Sequence, residues 1–518
     1  MIDELSNRIW SHARFHKEAG ALLSYLLQTR YLSETNGRYH EESLRRLLRS
    51  AAILSASRER KHREMAYQIA TAASELESKE FSGVPYVLLL VLSRIGNFPA
   101  LSYAKRRYLI AEESLPLRVL AESDARKEAN SIQLGDTAIA LTDFQHHLWT
   151  ELNTGEAIGI SAPTSAGKSF ILQAYARKLL AEGSADNIAF LVPTRALINQ
   201  VSGEASEWLR NTRLDVELVT TPIAKDTPIP VRSVYVVTQE RMQLLQTAHP
   251  DLSFEVMLVD EAQSIADGSR GVLLSSVIEE ALNRNEKMQL LFAGPNIDDP
   301  GEIAALFGRK PRSIRTDEAT VVQNIVFVDC DKEKPNSAKL GFLSEEKKVA
   351  LGTIECDQPL TDHRSKLVNL ALRLGGGGQN LIYALGPAEC ESIAFGLADG
   401  EQTIELPELK DLSDFVKEAV HPKYQLAVNV LQGVGFHYGR LPSLVRKAIE
   451  DSFAEGRLQF LVTTSTLLYG VNLPAQNLFL HNPQKGQNQP ISAIDFWNLA
   501  GRAGRLGKEF TGNIFLID

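Results

Sequence analysis

The sequence predicts an α/β protein in which two parallel-sheet domains follow an all-helical N-terminal domain. The main observation is a change of apolar periodicity. Helical spacing prevails over residues 1–134, and from there short apolar runs alternate with helical patterns, as in parallel sheets covered by helices. The second observation is length, because 518 residues correspond to about three domains. We therefore predict domains at 1–134, 135–320 and 321–518.

Ten short apolar runs define the strands of the two predicted sheets. The first five are 157–160, 189–192, 233–237, 256–259 and 290–292, and the second five are 380–384, 433–437, 459–463, 478–481 and 513–517. Helical stripes over 22–27, 44–53 and 66–77 define the N-terminal domain. Its basic clusters, 58–61 and 105–107, indicate solvated helix faces, with contact to nucleic acid or a protein partner as the alternative.

Composition and charge exclude several classes of protein. A net charge of -9 excludes a protein coated in positive charge, so any nucleic-acid site must be a local basic groove. Cys330, Cys356 and Cys390 form no CxxC pair, which argues against a zinc cluster or a disulfide framework and favours a reducing, cytoplasmic setting. The N-terminal residues lack the pattern of a signal peptide, and the longest apolar stretch, 84–92, is too short to span a bilayer.

A phosphate-binding loop is predicted after the first apolar run of the second domain. SAPTSAGKSF (161–170) lies between that run and a helical pattern, so backbone N–H groups and a helix N terminus would face the phosphates. Lys168 would reach the β- and γ-phosphates, and the Ser169 hydroxyl would ligate Mg²⁺. Ala162 replaces the usual first glycine, and a chance Gly-Lys-Ser turn is the alternative.

Two adjacent carboxylates follow another predicted strand. The run 256–259 leads directly into Asp260 and Glu261, so both are expected at the carboxyl edge of the sheet, beside the loop. There Asp260 could hold Mg²⁺, and Glu261 could accept a proton from the attacking water. An acidic turn after a strand is common by itself. Together with the loop, it predicts a protein that binds and hydrolyses a nucleoside triphosphate.

With these residues in place, region 140–518 resembles the superfamily 2 helicases. In the first α/β domain the resemblance rests on LTDFQ (141–145, Q motif), APTSAGKS (162–169, motif I), VPTRAL (192–197, motif Ia), VTQER (237–241, motif Ib) and DEAQ (260–263, motif II). In the second it rests on FHYGRL (436–441) with Arg446 and Phe453, TTSTLLYGVNLP (463–474, motif V) and GRAGR (501–505, motif VI). The 436–453 segment resembles the DExH branch that contains exosome-associated and DNA-repair helicases.

The resemblance implies two RecA-like domains with ATP and Mg²⁺ between them. Arg502 and Arg505 would point at the γ-phosphate, because an arginine finger comes from the opposite domain. Gln145 would read the adenine edge with Phe144 packed nearby. Further nucleotide contacts are expected at Thr164, Ser165, Ala166, Gly167, Lys168, Ser169, Gln263, Gly470 and Asn472. Contacts to strand phosphates are expected at Pro193, Thr194, Arg195, Thr238, Gln239, Thr464 and Ser465, with ordinary loop capping as the alternative for each.

Three positions depart from the family pattern. Motif III, commonly Ser-Ala-Thr, reads FAGPN over 292–296, so its hydroxyls are missing. We hypothesise that ATP hydrolysis survives while its coupling to unwinding differs. Gln263 stands where the family more often has histidine, and Asn498 stands where motif VI often has glutamine. Because an amide can keep a hydrogen bond, we expect modest effects from both.

Further features leave alternatives open. Trp497 could stack on a base, but a core position is the preferred interpretation, and His437 is expected to be a hydrogen-bonded structural residue. The polar segment 482–490 lies where relatives carry a strand-separating hairpin, and a plain connecting loop fits it equally well. Relatives continue past motif VI with winged-helix and ratchet domains, so we expect a truncated chain or a nucleic-acid channel completed by a partner.

The predicted function is a nucleic-acid-stimulated ATPase that moves 3′ to 5′ along a single strand, with no membrane association. DNA is favoured over RNA, although the expected backbone contacts read no 2′-hydroxyl. The alternatives are a double-strand translocase or remodeller and an ATP-gated sensor or scaffold. A helical region ahead of such a motor is similar to helicase subunits of prokaryotic anti-phage systems such as Hachiman, in which case it would dock a nuclease partner.

Overall fold

A computed structural model of the chain describes residues 1–32, 39–76, 83–109, 116–212, 214–266, 268–295, 297–310, 312–318, 320–344, 347–399, 404–465, 473, 475–485, 489–504 and 509–518. The chain forms two compact units. One comprises Met1–Ala129, Thr320–Leu467 and Leu473–Asp518, and the other comprises chiefly Asn130–Ala319. The N-terminal residues therefore share a unit with the C-terminal part of the chain. Within the described ranges, no helix is both long and apolar enough to cross a membrane.

The N-terminal region, residues 1–129, is helical, as predicted. Its described helices are α1 (Ile2–Trp10), α2 (Ala13–Tyr31), α3 (Glu41–Leu54), α4 (Arg60–Glu75), α5 (Val84–Arg94), α6 (Phe98–Arg107) and α7 (Leu117–Ala129). They pack together because each presents apolar residues at helical spacing, and α3 illustrates this with buried Leu44, Leu47, Leu48, Ala51 and Leu54. The core that they form also includes Val322 and Phe510 from the C-terminal part of the same unit.

A parallel sheet forms the centre of the other unit. A short antiparallel hairpin, β1 (Ser131–Leu134) and β2 (Thr137–Ala140), precedes it. The strands of the sheet are β3 (Ile158–Ser161), β4 (Asn187–Leu191), β5 (Glu217–Val219), β6 (Ser233–Val237), β7 (Val256–Asp260), β8 (Gln289–Gly294) and β9 (Ser313–Arg315). The accompanying helices are α8 (Asp143–Leu152), α9 (Lys168–Glu182), α10 (Arg195–Thr212), α11 (Gln239–Ala248), α12 (Gly268–Arg284) and α13 (Pro300–Ala305).

The order of this first sheet is β5-β6-β4-β7-β8-β3-β9, and every neighbouring pair is parallel. All five predicted runs of this domain are strands, with ends that differ by at most two residues. The sequence missed β5 and β9. Both are three-residue strands, too short for an apolar run to stand out, and β5 and β9 close the two edges of the sheet. Since parallel strands end at one edge, loops that follow β3, β7 and β8 share that edge.

The second sheet is mixed. Its strands are β10 (Val322–Cys330), β11 (Ser337–Ser344), β12 (Lys347–Glu355), β13 (Asn380–Tyr383), β14 (Val434–His437), β15 (Phe460–Thr463), β16 (Asn477–His481) and β19 (Thr511–Ile517), and a small hairpin is formed by β17 (Gln484–Lys485) and β18 (Gln489–Pro490). Its helices are α14 (His363–Leu374), α15 (Pro387–Ala398), α16 (Pro407–Ala419), α17 (Gln425–Asn429), α18 (Ser443–Ala454) and α19 (Ala493–Ala500).

The order of the second sheet is β12-β11-β10-β19-β16-β13-β15-β14. The strands from β10 to β14 in this order are parallel, and β11 and β12 extend the sheet with antiparallel pairs. All five predicted runs are strands, whereas β10, β11 and β12 were not predicted. The fold is thus the expected α/β class, with two RecA-like sheets and a helical N-terminal region.

An asparagine ladder crosses the interior of the second sheet. The Asn324 side-chain amide donates to Asn513 Oδ1 (3.0 Å), Asn513 donates to Asn477 Oδ1 (2.8 Å), and Asn477 donates to Asn380 Oδ1 (2.9 Å). Asn380 then donates to the Gly378 carbonyl oxygen (2.8 Å). The four asparagines lie opposite one another on adjacent strands β10, β19, β16 and β13. The amides of Asn324, Asn513 and Asn477 are therefore each satisfied by the asparagine on the next strand.

Candidate nucleotide site and nucleic-acid track

The phosphate-binding loop joins β3 to α9 with the geometry that its sequence predicts. Gly167 adopts a left-handed conformation (φ 76°, ψ 31°) and α9 begins at Lys168. A Cβ atom at Gly167 would lie 2.4 Å from the Gln145 side-chain nitrogen. Glycine is therefore required here both by the backbone conformation and by the close approach of Gln145.

Lys168 and Ser169 occupy the first turn of α9. Lys168 is 6% exposed, and its ammonium donates to the carbonyl oxygens of Ala162 and Pro163, the latter at 3.0 Å. Ser169 is exposed at the next position. Among the other predicted loop residues, Ala166 is buried, Ser165 is half-buried, and the side chain of Thr164 lies outside the described set.

The Q-motif residues support the loop from α8. Gln145 is 4% exposed and forms a capping box with Thr142, whose backbone N–H donates to Gln145 Oε1 (3.1 Å). The Gln145 amide nitrogen donates to the Ala166 carbonyl oxygen (3.1 Å). Phe144 is half-buried against the core of this sheet. Gln145 thus ties the start of α8 to the phosphate-binding loop, and its reading of an adenine edge stays a prediction.

Asp260 and Glu261 follow β7 at the carboxyl edge of the sheet. Asp260 accepts from the backbone N–H of Glu261 (3.0 Å). Burial raises the pKa of Asp260 above its ordinary value, and the Lys168 ammonium opposes that shift. Glu261 has a φ of +51°, which a residue with a side chain rarely adopts and which costs about 1–3 kcal/mol. The predicted base, Glu261, thus follows the predicted metal ligand, Asp260, in a strained backbone conformation.

Gln263 and Gly294 form a contact that links motif II to motif III. Gln263 Nε2 donates to Glu261 Oε2 (2.5 Å), whereas Gln263 Oε1 is buried without a hydrogen-bond partner among the described residues. A Cβ at Gly294 would lie 2.4 Å from that oxygen and 2.7 Å from Ile297 Cδ1. Gln263 and Gly294 both depart from the family pattern, and in the structure they are neighbours. The absence of a side chain at Gly294 leaves space for the Gln263 side chain.

Arg270, at the start of α12, connects motif Ia to motif Ib. Its Nη2 donates to the Pro193 carbonyl oxygen (2.7 Å), and its Nε lies 3.5 Å from the Glu240 carboxylate. Glu240 also accepts from the Thr238 hydroxyl. Arg270 was not identified from the sequence because a lone arginine outside any motif carries no signal. It holds together two segments that are predicted to follow the nucleic-acid backbone.

The predicted strand contacts differ in how exposed their side chains are. Arg195 is exposed at the first position of α10, and Thr194 is half-buried with its hydroxyl accepting from the Leu197 backbone N–H (3.3 Å). Thr238 and Gln239 are each 6% exposed. Thr194 thus acts as a helix cap, and direct contact of these residues with a strand stays a prediction.

In the second sheet's unit, motif VI follows α19. Arg502 is 6% exposed, and its carbonyl oxygen accepts from the Ala475 backbone N–H (2.9 Å). Thr464 is 7% exposed, and Ser465 is half-buried at the end of the motif V strand. Asn498 is buried on α19. The predictions for Arg505, Gly470 and Asn472 lie outside the described residues.

Two interpretations of single residues need correction. Trp497 is 48% exposed, with Ile494 44% exposed one turn earlier, so it is not a core tryptophan. The reason is that α19 turns the opposite face, with Asp495, Asn498 and Leu499, inwards. His437 is fully buried, but neither ring nitrogen has a hydrogen-bond partner in the described part of the chain.

The segment between motifs V and VI forms a hairpin. Lys485 pairs with Gln489, and Gln484 pairs with Pro490, in antiparallel register. The Tyr383 hydroxyl donates to the Gln484 carbonyl oxygen (2.7 Å) and anchors the base of this hairpin to the sheet. The pairing of these residues favours a hairpin over a plain connecting loop, and a role in strand separation stays a prediction.

The groups at the carboxyl edge of the first sheet fit Mg²⁺ and ATP. A buried ammonium on the loop, a hydroxyl in the first helical turn and a carboxylate at the end of β7 are the donors that a magnesium–triphosphate complex requires. This arrangement of loop, helix and carboxylate is the one that characterises the P-loop nucleoside triphosphatases.

The comparison with known families agrees. Residues 142–298 match the family model for the DEAD/DEAH box helicase domain, and residues 413–507 match that for the helicase conserved C-terminal domain. Both domains therefore occur in the order that the resemblance to the superfamily 2 helicases predicts.

Its relatives include helicases and anti-phage proteins. Anti-bacteriophage protein B of Escherichia coli (strain K12) is 25% identical, over 72% of this chain and 47% of that protein. The ATP-dependent DNA helicase Hel308 of Aeropyrum pernix is 25% identical, over 70% of this chain and 48% of that protein. Hachiman protein HamB of Bacillus cereus is also 25% identical, over 71% of this chain and 36% of that protein. The chain thus spans about half the length of these relatives or less.

The fold is also similar to that of a solved helicase. The crystal structure of the DUF1998 helicase MrfA bound to DNA aligns with a TM-score of 0.51 at 16% identity, over 74% of this chain and 46% of that chain. At this identity the likeness concerns the fold alone.

Proposed function

We propose that the protein is a nucleic-acid-stimulated ATPase that translocates along a single strand, 3′ to 5′. The observation that carries the proposal is the carboxyl edge of the first sheet, where buried Lys168, Asp260 and the strained Glu261 follow β3 and β7. DNA is the favoured strand because Hel308, a relative over 70% of this chain, is named as a DNA helicase.

Each residue at this edge has a chemical role in the proposal. Lys168, Ser169 and Asp260 would hold the triphosphate and Mg²⁺, and the bound metal would neutralise phosphate charge. Glu261 would accept the proton of the attacking water, and Gln263 would orient its carboxylate through the 2.5 Å hydrogen bond. Arg502 and Arg505 would stabilise the charge on the transferred phosphoryl group, as arginine fingers do in related motors.

Movement along the strand would use phosphate contacts. Arg195 is exposed for such a contact, and Arg270 would fix motif Ia relative to motif Ib through Pro193 and Glu240. Phosphate contacts give register without sequence preference, so the motor would act on many sequences. Exposed Trp497, which follows the hairpin of β17 and β18 in sequence, would offer a base a surface on which to stack.

The test is the steady-state ATPase rate of wild type and Lys168→Ala with no nucleic acid, single-stranded DNA, duplex DNA and single-stranded RNA. Stimulation by one single-stranded species, lost in the variant, would support the strand-tracking motor and identify its substrate. A wild-type rate that ignores every nucleic acid would contradict the proposal. Substantial residual turnover in pure Lys168→Ala would contradict the assignment of the site.

A second candidate is an ATP-gated sensor or a double-strand translocase in an anti-phage complex. It is favoured by the missing motif III hydroxyls, by one relative named as an anti-bacteriophage protein and by another named as a Hachiman protein. Unwinding of a tailed duplex would support the first proposal, and displacement of a triplex strand alone would support a double-strand translocase. The free thiols of Cys330, Cys356 and Cys390 support a cytoplasmic location for either.

A further inference from the structure

The helical region of residues 1–129 holds the segment by which the chain enters the second sheet. Thr320 is the first residue of this segment in its unit. Its carbonyl oxygen accepts from the Tyr67 hydroxyl (3.1 Å) and from the Asn97 side-chain amide (2.9 Å). Both donors are 5% exposed, and Asn97 also caps α6 through Ala100. Two buried side chains from separate helices thus converge on one backbone atom.

The residue after Thr320 touches motif VI. Gly504 has a φ of +94°, and a Cβ there would lie 2.4 Å from Val321 Cγ1. The backbone N–H of Gly504 donates to the Ala475 carbonyl oxygen (2.7 Å), and the Arg502 carbonyl oxygen accepts from Ala475. The position of Val321 therefore constrains the backbone that carries Arg502.

The helical region also holds the strand that follows motif VI. Thr511, the first residue of β19, donates to Glu75 Oε1 (2.7 Å), and Glu75 is itself paired with Arg30 (2.9 Å). The Phe510 ring lies 4.9 Å from that of Tyr103 and is 1% exposed within the helical core. Motif VI is thus bounded on both sides by residues that the helices fix.

A third contact reaches the far edge of the same sheet. Leu351 is left out of the β11–β12 pairing, where the register shifts. Its carbonyl oxygen accepts instead from the Gln28 side chain on α2 (2.7 Å). The next residue, Gly352, leaves space for Leu32, whose Cδ1 would lie 2.7 Å from a Cβ there. The irregular pairing at Leu351 and Gly352 therefore provides both a hydrogen-bond acceptor for Gln28 of α2 and space for Leu32.

We propose that the helical region is a positioning element of the motor, which holds motif VI in place through Tyr67, Asn97 and the Thr320–Val321 segment. The inference rests on the proposed function, because its expected effect is on ATP hydrolysis. Loss of the two Thr320 hydrogen bonds would let Val321 and Gly504 move, so the arginine of motif VI would act from a less defined position. The rate of ATP turnover would therefore fall more than the affinity for ATP.

The test compares Tyr67→Phe/Asn97→Asp with Tyr108→Phe. Aspartate keeps the cap on α6 but cannot donate to Thr320, and phenylalanine keeps the ring of Tyr67. Tyr108→Phe is the matched control, since its hydroxyl donates to the Ser74 carbonyl oxygen (3.0 Å) inside the helical region. We expect kcat of the double variant to fall about tenfold while the control stays within about twofold, with KM for ATP little changed in both.

Hydrogen exchange gives a readout that does not need activity. Amides of residues 499–504 should lose protection in Tyr67→Phe/Asn97→Asp and keep it in Tyr108→Phe, at matched distance below each variant's Tm. Equal protection and equal kcat in the two variants would overturn the inference. A wild type without ATPase activity would contradict the proposed function. The hydrogen-exchange data alone would then support or overturn the inference that the helical region positions motif VI. Tyr67→Phe alone provides the same comparison if the double variant does not fold.

Discussion

The carboxyl edge of the first sheet and the asparagine ladder of the second differ in how their buried polar side chains are paired. At the carboxyl edge of the first sheet, Glu261 adopts a left-handed backbone conformation, and Gln263 Oε1 is buried without a hydrogen-bond partner among the described residues. Within the second sheet, buried Asn477 and Asn513 are satisfied by their neighbours on adjacent strands. The first sheet therefore carries strain at the groups proposed to react, whereas the second uses polar groups to fix its strands.

The largest effect is expected from Glu261→Gln. If the carboxylate is the base, kcat should fall about 10²–10³-fold with ATP affinity little changed, because glutamine has a similar shape but accepts no proton. Single-turnover hydrolysis and binding of a fluorescent ATP analogue would measure the two quantities. Glu261→Gln turning over at a tenth of the wild-type rate or faster would remove this residue from the chemistry.

Asn477→Ala should break the ladder at its most connected position. It leaves Asn513 without an acceptor and Asn380 without a donor inside the sheet, so the free energy of unfolding should fall by about 3 kcal/mol. Asn324→Ala is the graded control, because Asn324 is half-buried and contributes only the first bond of the ladder. Equal losses for the two variants in urea unfolding would argue against a cooperative ladder.

One exception in the second sheet's unit is the pair His437 and Glu450, whose Nε2 and Oε1 atoms lie 3.8 Å apart. Burial lowers the pKa of His437 to about 3 and raises that of Glu450 to about 7. Folding therefore favours both neutral forms. The stability that Glu450 contributes is present below its ordinary pKa of 4.5 and is lost as the pH rises to about 7. The stability that His437 contributes is present above its ordinary pKa of 6.5 and is lost as the pH falls towards 3.

Glu450→Gln should accordingly stabilise the protein at pH 8 by about 2 kcal/mol and leave it unchanged at pH 4.5. Glu418→Gln on α16 is the control, because that side chain is exposed. Thermal unfolding of both variants across this pH range would measure the difference. A parallel shift at both pH values would show that the pair does not titrate as its burial requires.

The smallest effect is expected from Gly294→Ala. Its Cβ would displace the Gln263 side chain and so disturb Glu261, lowering kcat about fivefold. Gly203→Ala is the control, since nothing lies within 4 Å of a Cβ there. In a background of Gln263→Ala, the change at Gly294 should cost little further activity. Additive losses would mean that motifs II and III are not coupled through this contact.

The sequence predicted most of the parallel strands and the fold class because buried parallel strands are continuous apolar runs. It missed β11 and β12, in which exposed and buried residues are mixed at a sheet margin, and it placed Trp497 in the core although α19 turns that face outwards. The phosphate-binding loop was predictable because its residues are contiguous. The Gln263–Gly294 and Tyr67–Thr320 contacts join distant segments, so tertiary packing alone creates them.

The position of β19 has a consequence for how the chain assembles. It lies between β10 and β16, yet it follows every other strand of that sheet in sequence. The ladder cannot close before Asn513 is in place, and the N-terminal helices cannot complete their core before Phe510 arrives. During synthesis, the N-terminal helices must therefore wait for a strand that is made long after them, which is the situation in which a nascent chain depends most on chaperones.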